Sequence, residues 1–154
     1  MKEPDWQLVP LSHSMRISIS ELSESLNRSR LAQLVDYNKK QVNRPNLLEF
    51  LEHGLRYVFP QQAGAMQRGV PTAHSHPSMK DMFVSELDYV WPDVNGGTMG
   101  LTIEPFYAKQ VEAVKEDAGF YKLLALADVL RVGKTREVKH AKAELNKLLY
   151  ESAH

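Results

Sequence analysis

The chain has 154 residues, 43% hydrophobic and 25% charged, with 19 basic against 19 acidic side chains, so net charge is zero. That size fits one domain, or one domain with a small appendage, and the composition excludes a disordered or fibrous chain. The absence of cysteine excludes disulfides and thiolate metal sites and fits a reducing compartment. No run of about 18 apolar residues is present, and the start MKEPDWQ lacks a signal-peptide core. A cytoplasmic protein without membrane partners is expected.

In chain order, Pro10 limits any helix near the start to about one turn on either side. Ser18-Ile19-Ser20-Glu21 has the pattern of a capping box, with Ile19, Leu22 and Leu26 behind it at helical spacing. Leu31, Leu34 and Val35 point away from that set, which predicts a break near Asn27-Arg28-Ser29. Asn43-Arg44-Pro45 opens a helix carrying Leu47, Leu48, Leu51, Leu55 and Val58, ended by Pro60. Residues 60–78 read as a long loop. Ser78 is placed to cap a short helix to Glu86.

Tyr89-Val90-Trp91, Asn95-Gly96-Gly97 and Met99 to Ile103 predict a small β-hairpin over 88–103 turning on the Asn-Gly pair. Pro105 begins a helix to about Lys115, Asp117 caps the next, Gly133 ends it, and Thr135 caps the last. The expected fold is mainly α. A helix-turn-helix-like unit occupies 1–60, and a helical body over 61–154 holds the hairpin and serves dimerisation or a partner. The aromatic and Met-rich middle, including Phe83, Trp91, Met99 and Phe106, reads as core.

A helix-turn-helix needs two short helices joined by a tight turn. One register places Trp6–Ser12 as support, Met15-Arg16-Ile17 as turn and Ser18–Arg28 as reading helix. It presents Ser20, Glu21, Glu24 and Arg28 outward, and two carboxylates suit phosphates poorly. The other register supports with Ser18–Leu26 and reads with Arg30–Lys39, offering Arg30, Gln33, Tyr37 and Lys40 to bases and phosphates. Lys39 joins that basic set.

The stretches MRISISELSESLNRSRLAQLVD and NRPNLLEFLEHGLRYVFP, then GVPTAHS, VWPD and LLALADVLRVGKTRE, resemble a poorly characterised bacterial family of predicted winged-helix or helix-turn-helix (MarR-like) transcriptional regulators. The resemblance covers nearly the whole chain. It implies the first register, with Ser18, Ser20 and Arg28 on the reading helix, and no catalytic residues. Two parts of the pattern are missing from the sequence: nothing ahead of Trp6 supplies a first helix, and no Lys- or Arg-rich wing hairpin is expected after Val35.

Two further motifs bear on function. His74-Ser75-His76-Pro77 places two histidines where an extended backbone turns both to one zinc ion, with Asp81 or Asp88 as a third ligand. The His-x-His, Ser, Asp order invites comparison with JAB/MPN-like metal hydrolases, but eight residues rather than seven separate His76 from Ser85. A polar loop without metal or other cofactor is the plainer expectation. Between Arg131 and Lys142 lie five basic residues, Arg131, Lys134, Arg136, Lys139 and Lys142, against one acid, Glu137. A solvated helix face is the plainer expectation, and the alternatives are contact with nucleic-acid phosphate or docking on an acidic partner. The leading expectation is therefore a non-catalytic, homodimeric regulator of double-stranded DNA. The alternatives are an interaction module neutralising a protein partner in a defence or toxin–antitoxin pair, and a zinc hydrolase.

Overall fold

The computed structural model describes residues 6–85 and 87–150. Among these, seven helices and three strands run in the order α1 (Leu8–Met15), α2 (Ile19–Leu31), α3 (Arg44–His53), α4 (Leu55–Val58), β1 (Met66–Thr72), β2 (Tyr89–Pro92), β3 (Thr98–Thr102), α5 (Gln110–Val114), α6 (Ala118–Val132) and α7 (Thr135–Tyr150). The protein is mainly α with a small sheet, as expected. No helix among the described residues is long and apolar enough to cross a membrane.

Caps read from the sequence close at their expected places. Ser18 Oγ accepts from Glu21 N at 3.0 Å, Asn43 Oδ1 from Asn46 N at 3.1 Å and Asp117 Oδ1 from Phe120 N at 2.9 Å. Each satisfies one of the amides that a helix start leaves without a partner. The last helix starts one residue earlier than expected: Lys134 occupies the cap position, and Glu137 reaches back to its N–H at 3.0 Å. No break occurs at Asn27-Arg28-Ser29, because α2 runs through to Leu31. After Pro105 the helix forms only at Gln110–Val114, and turns rather than a helix follow Ser78 as far as 82. Glu86 lies outside the described residues.

The sheet corrects two expectations. Residues 66–72, read as loop, form β1, the strand on which the other two are built. The hairpin over 88–103 is replaced by two strands running the same way. The C-terminal half of β1 pairs antiparallel with β2 (Thr72 opposite Tyr89), and its N-terminal half with β3 (Met66 opposite Leu101). β2 and β3 then meet in parallel, Tyr89 opposite Leu101, closing a three-stranded barrel.

Glycine permits so tight a closure. A Cβ on Gly69 would collide with the Trp91 carbonyl, and one on Gly96 with the backbone of Gly69. Gly96 thus serves close approach rather than a left-handed turn, and no described glycine has positive φ.

α6 is the central element. Its residues 125–130 are all buried, so the helix is covered almost all round. Leu126, Val129 and Ala125 pack with Leu145 and Ala141 of α7, Leu55 of α4 and Met79. On the barrel side Trp91 and Ile103 meet Val111 and Val114 of α5. One polar pin crosses this core. Asp128 of α6 accepts from Thr72 Oγ1 at 2.7 Å, Trp91 Nε1 at 2.7 Å and Arg131 Nη1 at 2.9 Å.

Candidate nucleic-acid interface

Near the N-terminus the chain packs two helices across a short connection. α1 ends at Arg16, whose left-handed φ of 59° turns the chain while its N–H bonds to His13 O. Three residues, Arg16 to Ser18, separate α1 from α2. Ser12 and Leu22 are buried between them. This succession of helix, short connection and helix lies nearer the first of the two expected arrangements, except that Met15, expected in the turn, ends α1. In the second, Arg30–Lys39 would be a helix, and that helix does not form: α2 ends at Leu31, and Gln33 adopts a φ of 63°. Leu34 N donates back to Ser29 O, so the chain has already turned out of the helix.

Ser18, Ser20, Glu21, Glu24, Asn27 and Arg28 are exposed along α2. Their spacing sets Ser20, Glu24, Asn27 and Arg28 on one outward face. Arg30 is half-buried at the end of the helix, where its guanidinium lies 5.4 Å from the centre of the Tyr37 ring.

Beyond α2 the chain forms a small hairpin that its sequence does not announce. Val35 and Val42 form an antiparallel bridge, Asp36 N donates to Gln41 O, and Asn43 N to Leu34 O. Asp36 Oδ1 closes the tip by accepting from Lys40 N at 2.7 Å and Gln41 N at 3.1 Å. Lys39 sits at the tip with a φ of 59°. Its Nζ donates to Asn27 Oδ1 of α2 at 2.9 Å. Lys40 Nζ lies 4.5 Å from the Trp6 ring centre, and Trp6 Nε1 donates to Lys40 O. Its two lysines thus tie the hairpin to α2 and to Trp6 ahead of α1. A signal for it is present in Asp36, whose short carboxylate favours a local turn, but Lys39 and Lys40 read more readily as a helix face.

The remaining basic residues separate. The Arg131 side chain is only 4% exposed. It bonds Asp128, Phe59 O, Glu104 O and Gln61 Oε1, and stacks 4.3 Å from the Phe106 ring centre. Its donors are spent inside the fold, so the expectation that it meets phosphate is corrected. Lys134 and Arg136 are exposed at the start of α7.

The His-Ser-His segment is a buried 3₁₀ turn rather than an extended strand. His74 Nε2 pairs with Leu87 O at 3.0 Å and its ring meets Tyr89 edge-on, whereas His76 Nδ1 accepts from Ser78 N at 3.0 Å and its ring meets Tyr121. The two rings serve different neighbours. Burial, with Lys122 adding to it, lowers the His76 pKa to about 4. Asp88 accepts from Ser75 Oγ, and Asp81 is exposed. Among the described residues no group of three His, Cys, Asp or Glu side chains is placed to hold a metal ion.

Comparison of the chain with protein-family models, with curated proteins and with solved structures finds no match.

Proposed function

We propose that the protein is a DNA-binding regulator in which α2 enters the major groove and the 35–42 hairpin lies against the adjacent backbone as a wing. The observation that carries this reading is the unit itself: two helices joined by three residues, followed at once by a hairpin with Lys39 and Lys40 at its tip. A reading helix needs short polar side chains facing outward, so that its backbone can approach base edges, and a neighbouring cation to fix register on phosphate. Ser20, Asn27 and Arg28 supply the first kind of contact. Arg30 and the two hairpin lysines supply the second, with Ser18 and Gln33 beside them as neutral polar contacts.

Glu24 is no obstacle within this reading, since a carboxylate accepts from the amino group of cytosine. Glu21 is retained for the helix start. The resemblance to predicted winged-helix regulators points the same way, and pairing of two copies on two half-sites belongs to the same proposal. The test is a gel-shift titration of the full chain against duplex from its own promoter at two salt concentrations. Arg28→Ala is expected to weaken binding by about 1–3 kcal/mol and relax base preference at one position. Lys39→Ala is expected to weaken all sequences alike. Absence of duplex binding at low salt overturns the proposal.

A further inference from the structure

The outer face of α7 is a second charged surface, separate from α2 and its hairpin. Glu137, Ala141 and Leu145 are buried at four-residue spacing and turn one side of α7 to the core. About half a turn away lie Arg136, Lys139, Ala143, Asn146 and Lys147, all exposed. That face holds three cations and no acid. Lys147 lies 3.8 Å from Glu144 on the flank, a carboxylate that Lys122 also holds at 3.2 Å. Among the described residues, Arg136 and Lys139 have no ion-pair or hydrogen-bond partner.

The placement works against the helix that carries it. Arg136 sits in the first turn of α7, where the helix dipole is positive and a cation is disfavoured. The only carboxylate of that turn, Glu137, is turned inward and spent on Lys134 N. Helix stability therefore does not account for Arg136, and Lys139 gains no partner within the fold, whereas Lys147 is favoured by the last turn and by Glu144; an external anion would stabilise all three.

The chemistry between the cations selects among anions. A protein partner needs an apolar anchor at the centre of its contact, and here only Ala143 and Asn146 lie between the charges. A membrane surface needs a free apolar helix face, and that of α7 is packed on α6. A phosphate backbone needs neither. The rise from Arg136 to Lys147 is about 16 Å, enough to follow a strand whose phosphates recur about every 3.4 Å of axis.

We propose that Arg136, Lys139 and Lys147 on the outer face of α7 form a second, sequence-independent contact for the phosphate backbone of duplex DNA. The proposal rests on the duplex-binding reading above and extends it to the body of the protein. The test is fluorescence anisotropy with a short labelled duplex of arbitrary sequence over a salt series. It compares the full chain with Arg136→Ala/Lys139→Ala/Lys147→Ala and with Arg28→Ala/Arg30→Ala.

The triple variant is expected to bind more weakly, with the slope of log K against log salt reduced by about 0.9 for each phosphate no longer neutralised. The double variant is expected to keep the part of the slope that α7 supplies. A triple variant with unchanged affinity and slope overturns the inference and leaves the α2 reading standing. If the triple variant loses all binding and the double variant none, the α2 reading falls instead. No binding by the unaltered chain overturns both. Exchange that keeps the charge (Arg136→Lys, Lys139→Arg, Lys147→Arg) is expected to restore binding, and failure to do so overturns the inference. Preference for a poly-glutamate peptide over duplex at equal salt also overturns it and assigns the face to an acidic protein.

Discussion

Residues 6–43 and the body C-terminal to them are held together by different means. In the first segment only Ser12 and Leu22 are buried, while Val9, Ile19, Leu31, Tyr37 and Val42 remain exposed; α3 and α4 belong to the body, where Leu55 is buried with Leu48, Phe50 and Leu51 packed against the same core. A groove of about 670 Å³, lined by Arg28, Leu34, Phe50 and His53 among others, keeps α2 from closing on α3. What fixes α2 and the hairpin is mostly polar rather than apolar: the Ser18 cap, the Lys39–Asn27 bond, the Asp36 tip bonds, the contacts of Lys40 with Trp6 and of Arg30 with Tyr37, and a bond from Asn46 of α3 to Gln33 O. In the body Trp91, Ile103, Leu126, Val129 and Leu145 are wholly buried, and Asp128 pins strand to helix. The contrast implies separate tolerances. The N-terminal segment can open or adjust without loss of the whole, as low-burial regions do, whereas the body behaves as one cooperative unit.

The largest effect is expected where the body is pinned. Asp128→Ala removes the acceptor shared by Thr72, Trp91 and Arg131 and leaves a buried guanidinium without its carboxylate. Burial pushes the Asp128 carboxyl above its ordinary range, while its three donors pull the other way. Removing one partner of a buried pair costs about 3–5 kcal/mol. Urea denaturation is expected to show a single transition at a much lower midpoint, with β1, β2 and α6 lost together. A midpoint near that of the unaltered chain would break the comparison, since the body would then not depend on its polar pin.

That pin was not legible in the sequence, and the reason is sequence separation. Thr72, Trp91 and Asp128 lie on three elements, and one of them, β1, carries no alternation of apolar and polar residues. Met66, Gln67 and Arg68 are exposed in succession, Gly69 is needed for closeness, and Pro71 sits inside the strand. Such a segment reads as loop because its pairing is dictated by distant partners. The Asn-Gly pair misled in the same way, suggesting a hairpin where Gly96 allows backbone to touch backbone.

Helix starts were legible because a cap is a contact over three residues, as at Ser18, Asn43 and Asp117. Of the candidate interface, Ser18 caps α2, and Ser20 and Arg28 lie on it. The hairpin was not legible because the tight turn at Asp36 is outweighed by the basic run beside it.

A smaller effect sharpens the picture of the body through acid. The His76 ring is buried against Tyr121, and its Nδ1 accepts from Ser78 N, so the folded ring is neutral with its proton on Nε2. Its pKa lies at about 4, against 6.5 in the unfolded chain. Between those values the unfolded chain binds more protons, so stability rises with pH there. The contribution is complete above 6.5 and is lost as pH falls towards 4. Denaturation midpoints measured across this window are expected to fall on acidification, and His76→Gln to flatten that dependence. An unchanged slope in the variant would assign it to another group.

The smallest effect separates the two regions most directly. Ser18 caps α2 through a single bond to Glu21 N at an exposed position. Ser18→Ala removes that acceptor and costs about 1 kcal/mol. Because so little of residues 6–43 is buried, the cost falls on the local opening of α2 rather than on the global transition. Hydrogen exchange is expected to quicken at the first amides of α2 while those of α6 keep their rates. If α2 binds duplex as proposed, affinity is expected to fall modestly, since a partly open helix lowers apparent affinity by the fraction that is competent. If α6 exchange quickens in step with α2, the two regions unfold as one, and the N-terminal segment is no independent reading head but part of the body's cooperative core.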